Sequence, residues 1–143
     1  MGNWTVVITA IALVAASAGC GSSSSTTAAS AVDLTGSWTG TWRFVTGAVT
    51  ITDAITATTT PYVGQVTTSW QAASGATGSF LVTPGATISG VFSVQIPGSG
   101  LNCTGTGTLS GTASPTSIAF DVPSISGSNC QWSTGNHFDL HRP

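Results

Sequence analysis

Gly36-Ser37-Trp38-Thr39-Gly40-Thr41-Trp42-Arg43-Phe44 is the stretch that decides the fold. Trp38, Gly40, Trp42 and Phe44 fall on one side of a two-residue period, and Ser37, Thr39, Thr41 and Arg43 on the other. That is the pattern of a β-strand with one buried face, because successive side chains point to opposite sides of a sheet. The alternation recurs along the chain. Val49, Ile51, Asp53 and Ile55 oppose Thr50, Thr52 and Thr56; Val66 and Trp70 follow, then Phe80 and Val82. After a Pro84-Gly85 turn, Ile88, Gly90, Phe92, Val94 and Ile96 alternate with Ser89, Ser93 and Gln95. Pro97-Gly98-Ser99-Gly100 breaks the chain again. Leu101, Cys103, Gly105, Gly107 and Leu109 then oppose Thr104, Thr106 and Thr108. Ile118, Phe120 and Val122 mark another strand, Phe138 and Leu140 the last, and Ile125 to Trp132 a weaker ninth.

About eight short strands with turn signals between them, and no helical period, predict an all-β domain. An antiparallel up-and-down barrel fits best, with a β-sandwich as the alternative. The 143 residues suit a single domain of this kind. Only 4% of them are charged, and Lys and Glu are absent. Two arginines, Arg43 and Arg142, cannot neutralise a phosphate backbone, so no nucleic-acid partner is expected. A charged coiled coil and a charge-driven disordered tail are excluded on the same ground.

The first residues read as an address. Trp4 to Ala18 is an apolar run short of the roughly 20 residues that a membrane span needs, with small residues after it. Ser17-Ala18-Gly19-Cys20 resembles the lipobox of bacterial lipoproteins. That resemblance implies a signal peptide over 1–19, a lipidated Cys20 as mature N-terminus, and attachment to a membrane through that lipid. With Gly21 after the cysteine, it implies the outer membrane, on its periplasmic or surface face. Cleavage after Ala18 leaving Cys20 as a free thiol, or an uncleaved anchor, are the alternatives. Residues 20–32, rich in Ser, Thr and Ala, read as a tether, and 33–143 as the barrel domain. Of three cysteines, a lipidated Cys20 leaves Cys103 and Cys130 to pair as a disulfide, with two separate buried thiols as the alternative.

Gly36-Ser37-Trp38 is similar to the Gly-x-Trp that opens lipocalins and avidin-like barrels. The resemblance implies that Trp38 closes one end of the barrel beside an arginine from near the last strand. Arg142, in phase with Phe138 and Leu140, is the matching position. In such barrels aromatics line a pocket, so Trp42, Trp70 and Asp53 are the candidate ligand contacts, for a small apolar or neutral ligand; the residues themselves favour core over pocket for Trp42 and Trp70. Asp53 falls on the apolar register, so a bulge turns it outward, or it faces the lumen, or it seeks Arg142.

The inventory for catalysis is thin. No serine stands in a nucleophile elbow, and no catalytic residue is assigned. His137, Asp139 and His141 share a strand face, but a straight strand separates the two histidines by about 13 Å, too far for one ion. No metal or cofactor is expected. The expected role is that of a monomeric, non-catalytic envelope lipoprotein with a binding module, or alternatively a surface-interaction, adhesion or purely structural β-domain.

Overall fold

The computed structural model describes residues 31–46, 48–98, 102–132 and 135–143. Cys20 and the expected leader lie outside these residues, as do Leu101 and the side chains of Cys130 and Trp132. Ten strands follow in order: β1 (Gly36–Thr46), β2 (Val49–Tyr62), β3 (Gln65–Ala72), β4 (Thr77–Val82), β5 (Thr87–Ile96), β6 (Cys103–Ala113), β7 (Ser117–Val122), β8 (Ile125–Ser128), β9 (Cys130–Trp132) and β10 (Asn136–His141). All pairings are antiparallel, and eight strands close a barrel in the order β1-β2-β3-β4-β5-β6-β7-β10. The ring closes where β10 meets β1, with Trp42 opposite Phe138 and Gly40 opposite Leu140. A closed ring leaves no sandwich and no long free edge to template aggregation.

The hairpin of β8 and β9 continues below β7 and β10. The upper part of β6 pairs with β7 and its lower part with β8. Between Ser110 and Thr106 the chain of β6 advances four residues, while the facing chain advances five, from Asp121 to Ser126. The extra residue falls at Pro123-Ser124, where proline has no N–H to give to a ladder. Weak patterning from Ile125 to Trp132 reflects this break.

Inward positions carry the core. Trp38, Trp42, Phe80, Phe92, Phe120 and Phe138 are all essentially buried, with Ile88, Ile118, Ile125 and Leu140 among them. Each such side chain contributes about 1.5–3 kcal/mol on burial. Outward positions are mostly Thr, Ser or Gln, with the charged or titratable Arg43, Asp121, His137, Asp139 and His141 confined to β1, β7 and β10. Apolar residues inside and hydroxyls outside reverse the arrangement of a lipid-facing barrel, whose outer band is apolar.

The two ends differ. At the end where β1 begins, Leu34 is buried and its carbonyl accepts the Trp38 indole N–H at 3.0 Å, so the chain plugs the opening before it enters β1. This is the closed end. The far end carries the β1–β2, β3–β4 and β5–β6 connections.

Candidate functional site

The closed end is held by the two termini of the domain. The Arg142 guanidinium lies over the Trp38 ring, its carbon 4.5 Å from the ring centroid. Its nitrogens donate to the carbonyls of Thr35 (2.8 Å), Asp33 (2.9 Å) and Pro115. Asp33 in turn accepts from the Thr35 hydroxyl at 2.7 Å and the Thr35 amide at 2.9 Å. Those two hydrogen bonds hold the Asp33 carboxyl below its ordinary range, with a smaller contribution from the nearby Arg142 charge. Arg142 therefore ties the entry segment, the β6–β7 turn and the end of β10 into one unit.

Trp42 and Trp70 stand together in the interior. Their ring centroids are 5.5 Å apart, Trp42 stacks on Phe138 at 5.6 Å, and Trp70 stacks on Phe92 at 5.6 Å. Phe138 reaches Phe120 at 4.7 Å and Phe92 at 5.0 Å, and Phe80 meets Phe120 at 4.9 Å. Ring contacts thus run across the barrel, and the aromatic side chains fill that section of the interior rather than lining a space. The indole N–H of Trp70 is buried without an acceptor.

Asp53 is not turned outward by a bulge. It holds continuous register opposite Trp42 and is 9% exposed. Nor does it reach Arg142, which sits at the other end of the barrel. Its carboxylate accepts the Ser74 amide of the β3–β4 turn at 3.3 Å, a contact that lets it remain at the rim of the far end. Nothing in the local sequence marks Ser74 as that partner, because the two meet only when β2 and β3 pair.

His137, Asp139 and His141 lie on the outer face of β10. His137 Nδ1 is 2.7 Å from the Asp121 carboxylate on β7. Asp139 and His141 face solvent, and among the described residues no three groups gather as metal ligands. Cys103 is buried at the start of β6. Register places Cys130 opposite Gly127, and Thr104 opposite Ser128, so both cysteine positions belong to the far end.

The face opposite this titratable stripe holds a feature that alternation alone hides. Outward residues of β2 to β5 stand in cross-strand rows: Thr58, Ser69, Ser79 and Ser93 in one, Thr56, Gln71, Thr77 and Gln95 in the next. Together they line a shallow groove of about 610 Å³, extended by Thr104 of β6. A side-chain carbon at Gly78 of β4 would lie 2.6 Å from the Trp70 ring and 2.1 Å from the Ser93 carbonyl. Only glycine fits β4 this close to Trp70 and to the facing β5 backbone, and both Gly78 and Trp70 lie at the floor of the groove. No charged residue lines the groove. The signal in the sequence was the absence of any Asp, Glu, Lys, Arg or His between Asp53 and Asp121.

No protein-family model matches the chain, and neither a curated protein nor a solved structure shows significant similarity to it.

Proposed function

We propose that this chain is a non-catalytic envelope lipoprotein, anchored through lipid on Cys20, whose filled, calycin-like barrel acts through its outer face. The observation that carries the reading is the contrast between an interior occupied by aromatic rings and an outer groove lined by neutral hydrogen-bonding groups. A charged partner would lose solvation there without meeting a counter-charge, and an apolar one would strand hydroxyls from water. A neutral, hydroxyl-rich chain satisfies both, so the proposed partner is the glycan of the envelope. Hydroxyl and amide groups in such a contact exchange hydrogen bonds with water for hydrogen bonds with the partner, so affinity is modest and depends on repetition.

The lipobox pattern at Ser17–Cys20 supports the anchor, and lipid contributes about 0.8 kcal/mol per buried methylene. A Cys103–Cys130 disulfide belongs to the same reading, supported by the shared end of β6, β8 and β9. Closing that loop would stabilise the domain by roughly 3.5 kcal/mol.

Co-sedimentation with purified peptidoglycan sacculi tests the groove. The wild-type chain is expected to sediment, and the isosteric Gln71→Glu/Gln95→Glu variant to lose most of that binding. Thr112→Glu, which adds charge outside the groove, is the control and is expected to sediment. Equal binding by all three proteins would overturn the reading.

A further inference from the structure

At the closed end the β2–β3 hairpin runs beyond the start of β1 to an exposed tip. β2 pairs with β1 only as far as Thr59, opposite Gly36, and beyond it Thr60 to Tyr62 pair with Gln65 to Thr67 of β3, where Val66 is still buried opposite Val82 and only the tip stands clear of the core. The loop at its tip is Val63-Gly64, with φ of 39° and 74°. Two positive φ values define the two-residue turn that suits a twisted hairpin, usually built from Asn-Gly. Valine is a poor choice there. A β-branched side chain in the left-handed region costs roughly 1–2 kcal/mol. Nothing in the fold offsets that cost, because Val63 is 91% exposed, and Tyr62 beside it is 54% exposed. Strain retained at an exposed apolar tip points to a contact outside the domain.

The chain enters the barrel at this same end. Ala31 precedes the segment that Arg142 clasps, and ten residues lie between it and Cys20, a contour of at most about 40 Å. We infer that the Tyr62–Val63 hairpin tip docks on the lipid surface to which Cys20 is attached, so that the closed end faces the bilayer and the far end points away. The inference rests on the anchored reading proposed above. A tyrosine beside an aliphatic side chain, on an uncharged arm, has the chemistry of a membrane interface, where amphipathic rings settle at headgroup level. It would supply a second contact that fixes orientation, which lipid on a single residue does not. Val49 and Ile51 also expose apolar surface, at 61% and 39%, but at the far end, away from where the chain enters.

The experiment uses the full chain purified from membranes and reconstituted in phosphatidylcholine vesicles containing spin-labelled lipid. An environment-sensitive dye is attached at Val63→Cys or, as far-end control, at Ala48→Cys; unsubstituted chain carried through labelling gives the background. Quenching at least twofold stronger at 63 than at 48 is expected. Equal quenching, none at either position, or stronger quenching at 48 would overturn the docked orientation while an intact-mass measurement showing acylated Cys20 leaves the anchor standing. An unmodified Cys20 would overturn the anchored reading and the orientation with it. Val63→Asn separates the contact from the fold. It is expected to raise the melting temperature by relieving strain and to weaken quenching of a dye at Tyr62→Cys. A lower melting temperature would show that Val63 serves the fold and would overturn the inference.

Discussion

The guanidinium of Arg142 stacks 4.5 Å over the ring of Trp38, joining the last turn of the chain to the first strand of the barrel. The same side chain donates to three carbonyls, two of them in the segment that plugs the closed end. Arg142→Ala should remove all of these at once and leave the carbonyls to water. The expected loss is about 2 kcal/mol, roughly 10 °C in melting temperature for a domain near this size. Arg142→Lys should recover little, since a point charge cannot span three acceptors and a ring. Thermal unfolding followed by tryptophan fluorescence reads both.

Acid should loosen the same clasp. The Asp33 carboxyl is held below 3.8 chiefly by the Thr35 hydroxyl and amide. A carboxyl whose folded value is depressed stabilises the fold above its unfolded value, and that stability is lost as pH falls through the folded one. The window therefore lies below about pH 4. In Thr35→Val the Asp33 titration, followed by carboxyl carbon NMR, is expected to move up toward the ordinary value. No movement would show that Thr35 does not set it.

Phe138 is the ring on which the interior cluster converges, touching Trp42, Trp70, Phe92 and Phe120. Phe138→Ala should cost about 3–5 kcal/mol and open a cavity walled by aromatics. Such a cavity stays dry and admits small apolar molecules. Benzene is expected to raise the melting temperature of the variant and to leave that of the wild-type chain unchanged.

Gly78 couples the interior to the groove. Gly78→Ala would force its new carbon against Trp70 and the Ser93 carbonyl, pushing β4 outward. The expected cost is about 3 kcal/mol. Loss of sacculus binding at temperatures where the variant remains folded would accompany it, because the floor of the groove depends on that close approach.

Much of this was legible before any coordinates. Alternation from Trp38 to Leu140 located the strands, because a sheet with one buried face imposes a period of two. Closure into a ring does not follow from it, because a sandwich has the same period; the pairing of β10 with β1 decides. Other features depend on which strands become neighbours. Asp53 stays on the inward register because Ser74 arrives from the next strand pair, a contact that no local pattern encodes. The floor of the groove sets a glycine against a tryptophan eight residues earlier, visible only when β3 and β4 lie side by side. Leu34 precedes the first alternating strand and carries no periodic signal, yet it is the plug that Trp38 holds. Val63-Gly64 carries no conventional turn signal in its first residue, so the strain there had to be observed.

Whether the barrel works from its outer face is tested most directly by an NMR titration of the chain with a soluble N-acetylglucosamine oligomer. The account expects amide shifts confined to outward residues around Thr77, Ser79, Ser93 and Gln95, with the Trp70 indole N–H unmoved. That N–H is buried without an acceptor, so it would report any guest entering the interior. Shifts at the Trp70 and Trp42 indoles, with the groove amides silent, would contradict it.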